Sequence, residues 1–403
     1  MNIEIDRDTA LDAGPWKRNL IVCLFGSFTT IVGMTLLLPF LPLYVEQLGV
    51  TDHAAVVQWS GVAYGATFFS AALTAPLWGR LADRYGRKLM LIRASLGMAI
   101  AMSLIGMAHN VYELVGLRLL TGLLGGYASG STVLVAAQTP KAQSGWAIGV
   151  LSAGIMAGSL VGPLIGGVLP GLIGIRATFV LIGGVIFFTF LGTTFLIREE
   201  ARPKAAKGSK SRGGWSLVPD KRPVIAMWGT GLLLLIANMS IEPIITVYVA
   251  QLLEAPQVTF VAGLVMSAAA FGSLLSSSHL GKLADRVGHW RIINVCLAVS
   301  AVLLIPQAFV VSGWQLILLR FLMGLALGGL LPCIASVIRH NVPDAVTGSM
   351  LGYSISAQYA GQVIGPLAGG FIGGHIGMRA VFLGTSVLMA LGAIGNFVVE
   401  KKE

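Results

Sequence analysis

Apolar stretches recur along the chain, each closed by a short polar segment that carries most of the local charge. A helix needs roughly 20 mostly apolar residues to cross the hydrocarbon core of a bilayer. By that measure the pattern predicts twelve spans, at 19–46, 56–79, 90–108, 113–136, 145–170, 177–197, 223–250, 258–280, 292–311, 315–338, 347–373 and 380–398. The stretch before the first is acidic rather than basic, and that span outruns a signal h-region, so it is expected to remain as a true helix. An even number of spans puts both chain ends on one side. Of the 27 Lys and Arg residues, 23 fall on that side, two (Arg176 and Arg379) on the other, and two (Arg118 and Arg320) inside spans. Cytoplasmic loops carry the basic excess, so the expectation is a multi-pass plasma (inner) membrane protein with both termini cytoplasmic.

Composition closes off other classes. The 403 residues are 55% hydrophobic and 11% charged, with a mean hydropathy of +0.82. A soluble chain is about 25% charged, so a water-soluble globule is excluded. The net charge of +10 would suggest nucleic acid in a soluble protein. Here it is concentrated on one side of the spans, where it signals topology and attracts anionic membrane lipid, and no nucleic-acid partner is expected. Cys23, Cys296 and Cys333 lie inside apolar runs at no metal-ligand or CxxC spacing, so they read as small apolar packers and no metal is expected.

The chain also repeats itself. Gly79-Arg80-Leu81-Ala82-Asp83-Arg84-Tyr85-Gly86 returns as Gly281-Lys282-Leu283-Ala284-Asp285-Arg286-Val287-Gly288, and Arg118 returns as Arg320, both at an offset of 202. Gly162-Pro163 returns as Gly365-Pro366 at 203, and Pro39 and Tyr44 return as Pro243 and Tyr248 at 204. This predicts a duplicated six-helix unit. The units are an N-terminal half at 1–197, a cytoplasmic linker at 198–222 and a C-terminal half at 223–403. The Lys, Ser and Gly content of 198–222 predicts a mobile surface segment.

These residues carry a family resemblance over essentially the whole chain. The run Gly79 to Lys88 resembles the loop signature of the major facilitator superfamily between its second and third helices, and it is repeated where that family repeats it. Gly158, Gly162, Pro163, Gly166 and Gly167 are similar to the helix-five motif of its twelve-helix drug:proton antiporters, and Arg118 with Thr121-Gly122 to their helix-four motif. Trp16 to Val22, Pro39 to Val50 and Arg87 to Leu91 look like the MdtG-type multidrug efflux group. The resemblance implies an all-α membrane protein of twelve transmembrane helices in two pseudo-symmetric six-helix halves. It also implies a monomeric secondary transporter with no cofactor.

Candidate chemistry falls into four groups. Asp83 and Asp285 sit at helix ends among Arg80, Arg84, Gly86, Arg87, Lys88 and Arg286. In that place they are either a latch that opposes a neighbouring helix dipole or part of a topology anchor. The small residues of the fifth span, with Gly365 and Pro366 of the eleventh, permit close helix approach, and are expected where the halves rock against each other. Ionisable groups inside spans are costly and functional by default. Glu242 and Arg320 lie at matching depth, so they can pair, and Glu242 can take a proton when the pair opens. Arg118 has Leu38 where the repeat puts Glu242, so it reaches Glu46 or Glu113 or stays uncompensated beside a cavity. All five are candidates for proton coupling. The remaining cavity candidates are Met34, Phe40, Tyr64, Phe68, Asn238, Tyr248, Met266, Gln358, Tyr359 and Gln362, whose aromatic, thioether and amide groups suit loosely specified lipophilic ligands.

With no HExxH, Walker loop or paired intramembrane aspartates, an enzyme is not expected, and the energy must come from a gradient. The expected function is proton-driven efflux of small amphiphilic compounds. The alternative is a carrier for one defined metabolite, such as a siderophore, a sugar-like solute or a lysolipid, which an unpaired Arg118 would suit.

Overall fold

In a computed structural model, residues 15–199, 214–254 and 257–400 are described. The chain winds as α1 (Pro15–Thr35), α2 (Leu41–Gln47), α3 (His53–Tyr85), α4 (Arg87–Ile105), α5 (Val111–Leu124), α6 (Tyr127–Gln138), α7 (Ser144–Ile173) and α8 (Ile175–Leu196). It continues as α9 (Arg222–Ile241), α10 (Ile245–Ala250), α11 (Val258–Val287), α12 (His289–Gln307), α13 (Gly313–Leu327), α14 (Leu330–His340), α15 (Asp344–His375) and α16 (Met378–Glu400). Four of the expected spans are broken, so α1 with α2, α5 with α6, α9 with α10 and α13 with α14 each make one span, and twelve spans result.

The breaks have readable causes. Proline lacks an N–H and its ring crowds the preceding turn. Pro39 and Pro243 accordingly sit in single 3-10 turns, Leu38–Phe40 and Glu242–Ile244, that interrupt the first and seventh spans. Gly126 breaks the fourth span at φ +98°, a left-handed conformation that costs glycine little. The carbonyls freed there are satisfied by side chains: Trp78 Nε1 donates to Leu123 O at 2.7 Å and Arg93 Nη2 to Gly125 O at 3.0 Å, with the guanidinium stacked 3.6 Å over the Trp78 ring.

Ten of the spans pass as membrane-crossing by length and hydropathy among the described residues. The two that fall short on hydropathy are the second, α3, and the eleventh, α15, although they run to 33 and 32 residues. Both carry polar groups into the interior of the molecule: Tyr64, Thr67 and Ser70 on α3, and Ser354 and Gln362 on α15. Their lower hydropathy follows from their place in the fold, against each other rather than against lipid.

The internal repeat reappears as packing. Within the first half α1 packs on α7, α3 on α5 and α4 on α8; within the second, α9 packs on α15, α11 on α13 and α12 on α16. Even a single hydrogen bond is duplicated: Tyr44 Oη donates to Ile105 O at 2.5 Å, and Tyr248 Oη to Gln307 O at 2.9 Å. The halves meet through α7 against α11 and α3 against α15.

Most of the expected linker, 200–213, lies outside the described residues. Its described ends are packed rather than free. Asn19 Nδ2 donates to Arg198 O at 2.7 Å, and Trp215 stacks on Trp228 of α9 at 5.2 Å.

Candidate functional site

The seam between the halves is tight at one end only. On the side away from the termini, α3 and α15 touch backbone to backbone: a Cβ on Gly61 would collide with Pro366 O, and one on Gly370 would lie 3.0 Å from Val57 O. Likewise Gly263 of α11 abuts Pro163 O of α7, and Gly167 abuts Thr259 O. Ser267 Oγ of α11 donates to Leu160 O at 2.7 Å, and Thr246 Oγ1 to Leu38 O at 3.3 Å, both across the seam. At the termini ends of α7 and α15, a Cβ on Gly145, Gly149, Gly348 or Gly352 would meet nothing within 4 Å. The halves are closed on the far side and parted on the termini side.

The expectation that the glycine rows lie where the halves rock is therefore corrected in part. Residues four apart share one helix face. Gly158, Gly162 and Gly166 form a row that admits the α1 backbone of their own half, against Phe28 O, Thr35 and Leu36 O. Gly361, Gly365 and Gly369 admit α9 in the same way, against Leu232 O, Ile236 O and Ser240 O. Only the adjacent ridge reaches the other half, with Pro163 and Gly167 on α7 and Pro366 and Gly370 on α15. Their partners, Gly61 and Gly263, escaped the sequence reading, although Gly61 and Gly263 are themselves a repeat pair.

Between the halves lies a cavity of about 580 Å³. Met34, Tyr64, Phe68, Asn238, Met266 and Gln362 line it, together with Glu242, Arg320, Leu38 and Pro163. It runs from Glu242 near the closed end past Ser273 to Ser277, Leu331 and Pro332 toward the termini side. Four expected lining residues are elsewhere. Phe40 is fully buried, edge-on to Phe179 at 5.5 Å. Tyr248 is buried by its bond to Gln307 O and by Phe382, 5.0 Å away. Gln358 turns to α9, 3.3 Å from where a Gly231 Cβ would stand, and Tyr359 lines a separate cleft of about 270 Å³ with Trp78, Asp83 and Arg93. Residue type suggested a cavity role for these four, but the side of the helix on which each stands decides otherwise.

Glu242 sits in the 3-10 turn that breaks the seventh span, where a discontinuous helix exposes its side chain to the cavity. Its Oε2 accepts from Tyr64 Oη at 2.6 Å, across the seam. Arg320 lines the same cavity, but the direct side-chain ion pairs within 4.0 Å among the described residues are His109–Glu113 and His289–Asp285, so it stands off from Glu242. Arg118 is fully buried, with Nε on Ala63 O at 3.2 Å, while Nη1 and Nη2 have no hydrogen-bond partner among the described residues. It does not reach Glu113, which is occupied elsewhere: Glu113 N donates to Asn110 Oδ1 at 2.9 Å and His109 N to Glu113 Oε2 at 2.9 Å, a reciprocal cap at the start of α5. Glu46 is exposed at the end of α2. These two carboxylates therefore stand apart from Glu242 and from the buried Tyr64, Arg118 and Arg320.

The loop signature lies on the termini side. Gly86 and Gly288 turn the chain between helices at φ +95° and +100°, a region L side chains rarely enter. Asp83 and Arg84 are exposed, and Asp83 has no hydrogen bond or ion pair among the described residues. A Cβ on Gly79 would meet nothing within 4 Å. Arg87 Nη1 donates to Val133 O at 2.9 Å. Asp285 lies 3.4 Å from His289, and Arg286 is exposed. Glu199, missed in the sequence, holds the loop in place: Arg87 N and Lys88 N donate to its two oxygens at 2.9 and 2.8 Å, satisfying orphan donors at the start of α4. An acid directly after the sixth span, on a side dominated by bases, was the available signal.

Two pseudo-symmetric helical halves around a central cavity, sealed on one face and parted on the other, define a secondary transporter, a carrier rather than an enzyme. The model of the Major Facilitator Superfamily matches residues 23–305 and 238–403, and the chain belongs to that family. It is 44% identical over 381 residues, 94% of each chain, to the multidrug resistance protein MdtG of Salmonella paratyphi C (strain RKS4594). The same figures hold for MdtG of Salmonella typhimurium (strain LT2). Among solved structures, a bacterial homolog of the human lysosomal transporter Spinster, inward-facing and unoccupied, superposes with a TM-score of 0.79 at 15% identity, covering 96% of this chain and 98% of that one. The nucleoside transporter NupG superposes with a TM-score of 0.74 at 15% identity, covering 95% and 100%.

Proposed function

We propose that this carrier exports small amphiphilic compounds, drugs among them, in exchange for protons. It works as a monomer by rocker-switch motion of its two halves, with both termini and the linker in the cytoplasm. The orientation rests on the 23 of 27 basic residues on the termini side. On that orientation the cavity opens to the cytoplasm, the loading state of an exporter. The multidrug resistance name of relatives 44% identical supports the substrate class, as does a lining of Met34, Phe68, Met266, Asn238 and Gln362. Polarizable thioethers, an aromatic face and a few amides accept varied ligands.

One observation carries the coupling reading: Glu242 is the single carboxylate among the described residues lining the cavity, and it sits at its sealed end. There it meets the far side when that side opens and the cytoplasm when the cavity opens as it does here. A carboxylate in this place binds a proton on one face and releases it on the other. Arg118 does not line the cavity, which removes the feature that favoured a carrier for one defined metabolite such as a siderophore, a sugar-like solute or a lysolipid, although Arg320 does line it. Asp83, with its surrounding bases, latches the cytoplasmic side in the opposite state.

The test is transport in inverted vesicles, followed with a pH-sensitive dye and a panel of amphiphilic cations, zwitterions and anions. It is joined by proton release when a transported compound is added to purified protein. Wild type is expected to release protons and Glu242→Gln not to. Equal release from both would move the coupling site elsewhere.

A further inference from the structure

The acceptor in the Tyr64–Glu242 hydrogen bond belongs to one half and the donor to the other, so the bond exists only while the far side is closed. Tyr64 is preset for it: the residue is 4% exposed and its ring is held edge-on by Phe68 at 5.2 Å. The charged and titratable groups facing Glu242 are Tyr64 from α3, Arg320 from α13 and, behind Tyr64, Arg118 from α5. To the same cavity α9, α11 and α15 bring Asn238, Met266 and Gln362, which carry no charge. Glu242 therefore meets one hydrogen-bond donor fixed in the opposite half, next to the Gly61–Pro366 contact.

We propose that this hydrogen bond is the coupling lock of the carrier: while Glu242 is ionised and empty, Tyr64 holds the far side shut. The halves rock only after a proton, or a hydrogen-bond donor on the substrate, has taken the carboxylate. The inference rests on the reading of Glu242 as the proton site and adds to it the reason why protons do not cross alone. A hydrogen bond to an ionised carboxylate is roughly twice as strong as a neutral one, so protonation weakens the lock. On the far side a proton adds to the Glu242 carboxylate to form the carboxyl. On the termini side the O–H bond breaks and the proton leaves to water. Tyr64 keeps its own proton throughout. The ionised, empty carrier cannot return outward, which closes the path by which a gradient would leak.

Tyr64→Phe removes the hydroxyl and leaves the ring. In substrate-free proteoliposomes under an imposed pH gradient, read with a trapped pH dye, wild type should hold the gradient. Tyr64→Phe should leak protons roughly tenfold faster or more. Spin labels at Thr51 and Ile376, exposed far-side positions on opposite halves, should move apart in Tyr64→Phe at alkaline pH. Glu242→Gln presents a neutral acceptor and carries no proton, so it should lengthen the same distance without any leak, which reads the lock even where Tyr64→Phe folds poorly. Wild-type tightness and unchanged distances in both variants would overturn the lock while leaving Glu242 as the proton site. A leak in Tyr64→Phe that persists in Tyr64→Phe/Glu242→Gln would show the proton travelling elsewhere and overturn the coupling reading itself.

Discussion

Replacing Gly61 with alanine tests whether the far-side seam sets the balance between the two states of the carrier. A Cβ at this position would stand inside contact distance of Pro366 O and 3.1 Å from Gly370 Cα. Both obstacles are backbone, which cannot swing aside as a flexible side chain does. Over-packing of this kind costs about 1–3 kcal/mol. Only the far-side-closed state brings α3 this near to α15, so only that state bears the cost. A free-energy difference of about 1–3 kcal/mol between states corresponds to a population shift of about 5–150-fold. Gly369→Ala is the control. Its Cβ would collide with Ser240 O of α9, inside one half, where the contact is the same in both states. It should lower thermal stability and leave the ratio of states unchanged. The assay is the spin-label distance between Thr51 and Ile376; the native cysteines are buried and take up label poorly. Gly61→Ala should enrich the long-distance population at modest loss of Tm. If instead it lowers Tm as Gly369→Ala does, with an unchanged distance distribution, the seam is static packing and the reasoning fails.

Two further outcomes follow from the termini side. Asp83 is exposed and unpaired among the described residues, so Asp83→Asn should leave Tm unchanged while slowing turnover and raising the reactivity of a cysteine placed on the termini side of the cavity; wild-type turnover and labelling would reduce the motif to a topology anchor. Glu199→Ala removes two bonds at the start of α4, a loss of about 1 kcal/mol by analogy with helix caps, and should lower Tm in detergent by about one degree, which an unchanged melting curve would refute.

The spans, the repeat and the chemistry of the candidate residues were legible in the sequence because they depend on local quantities. Hydrocarbon thickness sets the length of an apolar run, the basic excess marks one side, and duplication leaves Arg118 and Arg320 at a constant offset. The breaks at Pro39 and Pro243 were not legible in the same way, since Pro163 and Pro366 sit inside unbroken helices. Azimuth was not legible. Helical rise placed Glu242 at the depth of Arg320, but depth does not say which way a side chain points, and the hydroxyl that reaches Glu242 comes from Tyr64 of the other half. One step along α7, from Gly166 to Gly167, turns the contact from the α1 backbone to that of α11. Phe40 and Tyr248 have the chemistry of cavity residues and the surroundings of core residues for the same reason. A helix rotates about 100° per residue, so which face meets lipid, core or cavity is settled only when neighbouring helices pack against it. Tertiary structure alone therefore decided that the carboxylate expected to carry the proton is bonded across the seam that must open.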